Sequence, residues 1–346
     1  MPRRRSALLA VPALALPLAL AACGSPGGSP DDDRVHVLAS FYPLQYVAQE
    51  VGGDHVRVEN LTPPAAEPHD LELSPAQVRQ IGTADLVLYL SGFQAAVDEG
   101  VRARDPEHVV DAADVVTLVA HASATGSDDG DHGDHGHDAD EDHGDHGHDA
   151  DEDHADHEHA DEHADDGHDH GSTDPHFWLD PTLLARLAEP VADELSAVDP
   201  DNADEYAAGA QALQERLGEL DAELAAGLAP FQGATVVTSH TAFGYLADRY
   251  GLRQVGISEL DPEAEPSPAR LREIGAVVRE RGVTTLFSET LVSPKVTETL
   301  AADLGVSTAV LDPLEGLSQD AAASGEDYVT VMQRNLEALE QGLVAP

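Results

Sequence analysis

Residues 201–228, DNADEYAAGAQALQERLGELDAELAAGL, divide the chain into the two parts from which its fold is predicted. It is rich in Ala, Leu and Glu and contains no proline, and Gly209 and Gly227 are among its weak points as a helix. At a rise of about 1.5 Å per residue, it predicts a single helix of ~40 Å. We expect this helix to be a stiff connector between the parts of the chain that precede and follow it.

Short apolar runs alternate with helical patterns on both sides of this helix. The predicted strands are 35–40, 56–60 and 85–90 before it, and 235–239, 254–257, 284–288 and 308–311 after it. The predicted helices are 43–51, 74–81 and 94–103, and then 241–250, 267–280, 294–303 and 326–343. Because such alternation favours parallel sheets covered by helices, the sequence predicts an α/β fold of two lobes, 35–200 and 229–346, with mainly parallel sheets.

A histidine-rich acidic segment, residues 121–170, interrupts the first lobe. It holds 13 of the 19 histidines, and between residues 128 and 170 it has 20 acidic residues and no Lys or Arg. The unit DHGDHGHDADE occurs at 131–141 and again at 142–152. With almost nothing apolar to bury, the segment is predicted to be disordered. A solvated acidic linker is the simpler reading, but dense imidazole and carboxylate favour binding of zinc or a similar metal. The predicted auxiliary ligands are His132, His135, His137, His143, His146, His148, His154, His157, His159, His163, His168 and His170.

The first 23 residues read as an export signal, with three arginines, a short apolar run and small residues before Cys23. LAAC (20–23) resembles a bacterial lipobox, which implies lipidation of Cys23; an ordinary secretory signal or a twin-arginine signal are the alternatives. Residues 24–34 read as a flexible tether. We therefore expect an extracytoplasmic protein that is anchored to the cell membrane by lipid, and Cys23, as the only cysteine, leaves no intramolecular disulfide.

The net charge of −48 is extreme, and outside the acidic segment 46 acidic residues still face 18 Lys and Arg. Such a surface excludes nucleic acid as a partner, because basic residues must neutralise phosphates there. It would instead concentrate cations near the protein.

Four candidate metal ligands stand in short Pro-rich or strand-end turns. They are His69 in EPHDLELSP (67–75), His176 in DPHFWLDP (174–181), His240 in TSHTAFGYL (238–246) and Asp312 in LDPLEG (311–316). Open α/β sheets place their ligands at the turns after strands, and this favours a shared site.

At these motifs the chain resembles the zinc/manganese substrate-binding proteins of ABC importers. FYPL (41–44), DPEAEPS (261–267) and FSETLVSPK (287–295) extend the resemblance over nearly everything from residue 35 onwards. It implies two similar lobes, a metal in the cleft between them, and the ligands His69, His176, His240 and Asp312. Glu315 or a water is the alternative fourth ligand. It also implies an ABC permease and ATPase as partners, and we expect a monomer.

The residue at the third ligand position indicates which metal is bound, because manganese members of that family have glutamate where this chain has His240. Three imidazoles and one carboxylate suit tetrahedral Zn²⁺, whereas Mn²⁺ prefers more oxygen ligands. We therefore expect capture of Zn²⁺ for uptake, with a manganese-binding member of the same family as an alternative. A second alternative is a metal-sequestering surface lipoprotein or adhesin. An enzyme is not expected, because no HExxH or GxSxG motif occurs.

Overall fold

The computed structural model describes residues 34–120 and 173–346, and each half of the chain contributes one parallel four-stranded sheet. The first sheet has the order β2-β1-β3-β4, formed by β1 (Val35–Ala39), β2 (Val56–Asn60), β3 (Leu86–Tyr89) and β4 (Val109–Asp111). The second has the equivalent order β6-β5-β7-β8, formed by β5 (Thr235–Thr238), β6 (Arg253–Gly256), β7 (Thr285–Ser288) and β8 (Ser307–Val310). The predicted α/β fold with two similar parallel-sheet lobes is confirmed.

Helices cover both sheets and connect successive parallel strands. In the first part of the chain they are α1 (Tyr42–Gly52), α2 (Pro75–Ile81), α3 (Ala95–Arg104), α4 (Ala112–Val115), α5 (Pro181–Leu184) and α6 (Ala188–Val198). The long helix is α7 (Ala203–Leu228). The later helices are α8 (Gly244–Tyr250), α9 (Pro268–Arg281), α10 (Lys295–Leu304), α11 (Gln319–Ser324) and α12 (Tyr328–Gly342).

Helix α7 is the predicted long connector, but it is packed along both lobes, in contact with α1 and α6 on one side and with α12 on the other. Its buried residues recur every three or four positions and form one apolar face. Gly209, which the sequence suggested was a weak point, lies where a β-carbon would meet the carbonyl oxygen of Val51 at 2.4 Å. The missing side chain therefore lets α1 and α7 approach closely.

One hydrophobic core includes residues of both sheets, of α7 and of α12. Trp178 is fully buried within it and crosses between the lobes, because its indole N–H donates to the carbonyl of Pro313 at 2.8 Å. The hydroxyl of Tyr328 donates in turn to the carbonyl of Trp178 at 2.5 Å. The lobes are therefore joined by shared packing as well as by the helix.

The sequence patterns missed strand β4 and the short helices α4, α5 and α11, whose lengths give little periodicity to detect. They also missed the eleven-residue helix α6. No helix within residues 34–120 and 173–346 combines the length and apolarity needed to span a membrane. Cys23, the signal and tether, and the auxiliary histidines of the histidine-rich segment lie outside the described residues.

Candidate metal site

Three histidines and one glutamate converge where the two lobes meet. His69 lies in the loop between β2 and α2, His240 directly follows β5, and Glu315 follows β8, so all three stand beyond the carboxyl ends of strands. His176 does not follow a sheet strand as predicted; it precedes the 3-10 turn Phe177–Leu179. One ligand atom from each of these four residues lies within 4.8 Å of the other three.

Four of the six distances between donor atoms lie between 3.1 and 3.4 Å. Oε1 of Glu315 lies 3.3 Å from Nε2 of His69, 3.1 Å from Nε2 of His176 and 3.2 Å from Nε2 of His240. The Nε2 atoms of His176 and His240 are 3.4 Å apart. Zn–N bonds of about 2.0–2.1 Å imply a tetrahedron whose edges are about 3.3–3.4 Å. These four distances approach that value, and the ligand atom of His69 lies within 4.8 Å of those of His176 and His240.

His176 is fully buried and is oriented by Asp174. The carboxylate of Asp174 can only accept, so Nδ1–H of His176 donates to its Oδ1 at 2.7 Å, and the backbone N–H of His176 donates to the same oxygen at 3.0 Å. Burial opposes protonation of His176, but its hydrogen bonds to Asp174 and Glu315 outweigh burial and raise its pKa. The arrangement turns Nε2 toward the other donors.

His240 is held in the same way by Glu289. Its Nδ1–H donates to Oε2 of Glu289 at 2.6 Å, and its backbone N–H donates to Oε1 at 3.0 Å. Burial acts to lower the pKa of His240, yet the charges and hydrogen bonds of Glu289 and Glu315 prevail and raise it. Two of the histidines therefore have buried carboxylates behind them, and each presents Nε2 to the cleft.

His69 differs from this pair because its side chain is 17% exposed. The edge of its ring packs against Phe93, with centroids 4.8 Å apart at 83°. Its backbone N–H donates to the carboxylate of Glu67 at 3.0 Å, and burial raises the pKa of Glu67. This histidine thus lies at the solvent-accessible side of the group.

Glu315 is buried at the centre of the three histidines. Burial alone would raise the pKa of its carboxyl, but hydrogen bonds to His176, His240 and His69 hold that pKa well below the ordinary range. Glu315 is therefore an ionised oxygen donor in the absence of metal, with imidazoles as its counter-charges.

Asp312, predicted as the fourth ligand, does not join the group. Its Oδ1 accepts from the N–H of Leu314 at 2.9 Å, its Oδ2 lies 3.6 Å from the guanidinium of Arg334, and its backbone is bound to Asn335. Burial raises the pKa of Asp312 to about 6. The carboxylate shapes the turn in which Leu314 takes φ 56°, and that turn brings Glu315, the alternative ligand, to the histidines.

Asp174 and Glu289, which orient two of the histidines, were not predicted from the sequence as functional residues. Both stand in quoted motifs, Asp174 two residues before His176 and Glu289 two residues after Phe287. The rule that ligating histidines donate their second N–H to a carboxylate could have pointed to Asp174. The link from Glu289 to His240 crosses between strands and is visible only in the fold.

Two parallel-sheet lobes joined by a long helix, with histidines and a carboxylate gathered between them, define the class of two-lobed metal-binding proteins. The family model "Zinc-uptake complex component A periplasmic" (ZnuA) matches residues 37–342, and the chain belongs to that family.

Two zinc-binding proteins of known name are similar to this chain in sequence. "High-affinity zinc uptake system protein ZnuA" of Bacillus subtilis is 33% identical over 331 residues, which is 94% of both chains. "Zinc-binding lipoprotein AdcA" of Streptococcus pneumoniae is 34% identical over 312 residues, 90% of this chain but 56% of AdcA, so this chain spans little more than half of that relative.

Solved structures agree in fold. Zn(II)-bound AdcA of S. pneumoniae superposes with a TM-score of 0.68 at 31% identity, covering 89% of this chain and 57% of that one. The laminin-binding protein Lmb of Streptococcus agalactiae, described as having adhesin and metal-transporting activity, has a TM-score of 0.68 at 30% identity and covers 89% of this chain and 99% of Lmb.

Proposed function

We propose that the protein captures one Zn²⁺ in the cleft, through His69, His176, His240 and Glu315, and delivers it to an ABC transporter for uptake. The observation that carries this proposal is the convergence of four donor atoms, with Oε1 of Glu315 lying 3.1–3.3 Å from Nε2 of each histidine. Three nitrogens and one oxygen are a donor set suited to zinc. Zinc appears in the names of the similar ZnuA and AdcA proteins and in the Zn(II)-bound structure.

The partners follow from the family. A zinc-uptake component of this kind works with a permease and an ATPase, and the loaded protein presents its metal to the permease on the outer side of the membrane. We propose a monomer that is held at the membrane by lipidation of Cys23. The AdcA of Streptococcus pneumoniae is named a lipoprotein, and this supports the anchor.

A binding role is favoured over catalysis by the number of protein donors. Catalytic zinc sites keep three protein ligands and one open position for water or substrate. Here Glu315 supplies a fourth donor at 3.1–3.3 Å from each imidazole nitrogen, and three of the four residues are buried. A site closed in this way retains a metal and offers no position for a substrate.

Zinc titration of the purified protein tests the proposal. We expect one tight site that persists when residues 121–170 are replaced by a short linker and is lost in His240→Ala. His108→Ala is the matched control, since His108 is paired with Glu194 away from the cleft. Loss of the tight site on removing the segment, with retention in His240→Ala, would overturn the cleft assignment.

Metal selectivity separates zinc from the manganese alternative. We expect the protein to prefer Zn²⁺ over Mn²⁺, and we expect His240→Glu to narrow that preference, because a second carboxylate makes the donor set harder. Competition binding with both ions measures the ratio. A wild-type preference for Mn²⁺ would contradict the proposal.

For the histidine-rich segment we propose auxiliary capture of zinc. Its thirteen histidines include His121 beside the twelve predicted auxiliary ligands. We expect several further ions, each bound more weakly than the ion in the cleft, and a rise in local zinc concentration near the cleft. A strain lacking residues 121–170 should show an uptake defect under chelation only. Equal uptake at every zinc level would leave the segment as a linker.

Adhesion is a second candidate, favoured by the likeness to Lmb. Binding of the full chain to immobilised laminin, compared with binding to albumin, tests it directly.

A further inference from the structure

Tyr245 of the second lobe stands between the ends of the histidine-rich segment and the metal site. The two ends are paired with each other: Ala120 and Thr173 form an antiparallel bridge, and the N–H of Asp174 donates to the carbonyl of Val119 at 3.0 Å. The N–H of Val119 does not bind the carbonyl of Asp174 in return, because the phenol hydroxyl of Tyr245 lies between these two groups. Val119 N–H donates to the hydroxyl of Tyr245 at 2.9 Å, and that hydroxyl donates to the carbonyl of Asp174 at 2.9 Å.

The same residue, Asp174, orients a proposed zinc ligand. Its backbone carbonyl is bound to Tyr245, while its carboxylate accepts both N–H groups of His176. A continuous chain of hydrogen bonds therefore runs from Val119 through Tyr245 and Asp174 to His176. The phenol is buried, and burial raises the pKa of Tyr245 to about 12, so the hydroxyl keeps the proton that it donates.

Helix α8, which carries Tyr245, is shaped to receive Asp174. A β-carbon on Gly244, the first residue of α8, would lie 2.8 Å from Oδ2 of Asp174. Any larger residue there would push the carboxylate away. The second lobe thus contacts Asp174 twice, through the backbone carbonyl and beside the carboxylate.

We propose that Tyr245 is a positioning residue that couples the ends of the histidine-rich segment to the zinc ligand His176. This inference rests on the proposed function, because it concerns the loading of the same site. Zinc bound at His176 fixes Asp174, and Asp174 fixes Tyr245 and the N–H of Val119. Because coupling of binding free energies is reciprocal, order at the segment's ends also strengthens zinc binding in the cleft, and we expect this gain to appear mainly in the dissociation rate.

Two measurements on the full-length chain test the coupling. The first is the rate of zinc dissociation into excess chelator. Loss of a ligand's direct carboxylate partner costs 10–100-fold in metal affinity, and Tyr245 acts one step further out, so we expect Tyr245→Phe to release zinc about threefold to tenfold faster. The second is amide hydrogen exchange at Val119, which zinc should slow in the wild type and leave unchanged in Tyr245→Phe.

Tyr250→Phe is the matched control. Tyr250 lies on the same helix, is equally buried, and donates to Asp221 at 3.0 Å, away from the metal site. If Tyr245 had only a structural role, Tyr245→Phe would change hydrogen exchange at Val119 equally with and without zinc. Tyr245→Phe and Tyr250→Phe would then also release zinc at the same rate. Gly244→Ala is a second variant that displaces Asp174 without touching the phenol, and it should also accelerate zinc release.

The possible results distinguish failure of the coupling from failure of the proposed function. Faster release and loss of the zinc-dependent exchange difference in Tyr245→Phe, with neither in Tyr250→Phe, support the coupling. Equal behaviour of the two variants while the wild type binds zinc tightly overturns the coupling and leaves the proposed function intact. A wild type that binds no zinc tightly overturns both.

Discussion

The two sides of the metal site are built differently. His176 and His240 are fully buried, and each has a carboxylate bound to Nδ1 and to the backbone N–H. His69 is 17% exposed and lies in a loop without regular secondary structure. The difference suggests an order of events: zinc first meets a fixed pair of imidazoles with Glu315, and His69 closes over it from the solvent side.

The loop that carries His69 contacts the opposite lobe through its backbone as well as through the His69 ring. The N–H of Ala65 donates to the carbonyl of Leu317 at 3.1 Å, and Ala65 takes the left-handed conformation with φ 61°. A non-glycine residue in that region is under mild strain. Opening at this loop would break this hydrogen bond and the contact of His69 with Phe93, whereas movement of His176 or His240 would disturb fully buried side chains.

The largest expected effect is the loss of a fixed ligand. His240→Ala should weaken zinc binding by more than about a hundredfold, which exceeds the loss expected for a residue that only orients a ligand. The change removes a donor and also leaves Glu289 buried without its hydrogen-bond partner. His69→Ala should weaken binding less, because water can reach the vacated position. Titration calorimetry with a competing chelator measures both. Equal losses would show that the two sides do not differ in energy.

Second in size is the loss of the orienting carboxylates. Asp174→Asn and Glu289→Gln should each cost about 10–100-fold in zinc affinity, because they remove the charged acceptor that fixes the imidazole. Glu273→Gln, which changes an exposed carboxylate paired with Arg270, is the control. Glu67→Gln should have a smaller effect than either, because Glu67 binds the backbone of His69 at hydrogen-bond distance and not its ring.

The pH dependence distinguishes the two sides through proton release. Because the pKa values of His176 and His240 are raised, the metal-free site holds protons on these rings above the ordinary imidazole range, and zinc must displace them. Affinity should therefore rise with pH through and beyond pH 7, by about tenfold per pH unit for each proton displaced. Calorimetry in buffers of different ionisation enthalpy counts the protons. Release confined to pH below 6.5 would contradict the raised pKa values.

The same pKa shifts determine whether the stability of the metal-free protein rises or falls with pH. A raised histidine pKa stabilises the fold fully below the unfolded value of about 6.5, and that contribution is lost as pH rises through the folded pKa. The lowered pKa of Glu315 contributes above about 4.3, the unfolded value, and its contribution is lost as pH falls through the folded pKa. Melting curves of metal-free protein should therefore show lower stability at pH 9 than at pH 7.

The smallest expected effect concerns the packing of His69. Phe93→Leu removes the ring that meets the edge of His69 and should speed zinc release by about threefold, since such ring contacts contribute ~0.5–1.5 kcal/mol. Stopped-flow chelation measures it, and Phe231→Leu, a partly buried ring of the core outside the site, is the control. No change in Phe93→Leu alone would show that this contact does not hold His69.

The sequence predicted the fold better than the site. Strand–helix alternation and the proline-free run rich in Ala, Leu and Glu that forms α7 span many residues, so seven of the eight strands of the two sheets and the connector were predicted closely. The fourth donor was not fixed, because Asp312 and Glu315 lie three residues apart in one turn and only the backbone shows which carboxylate faces the cleft. Tyr245 and Glu289 act across elements distant in the sequence, where no local pattern could reveal them.

The shared core has a consequence for the lifetime of the protein outside the cytoplasm. Because residues of both lobes and of α7 belong to one hydrophobic cluster, the free energy of zinc binding stabilises the whole fold and not the cleft alone. Zinc at a hundred times its dissociation constant would add about 2.7 kcal/mol, which lowers the population of fully unfolded chains roughly a hundredfold. Extracellular proteases that cut unfolded chains would thus remove empty receptors before loaded ones, so that turnover itself reports zinc supply.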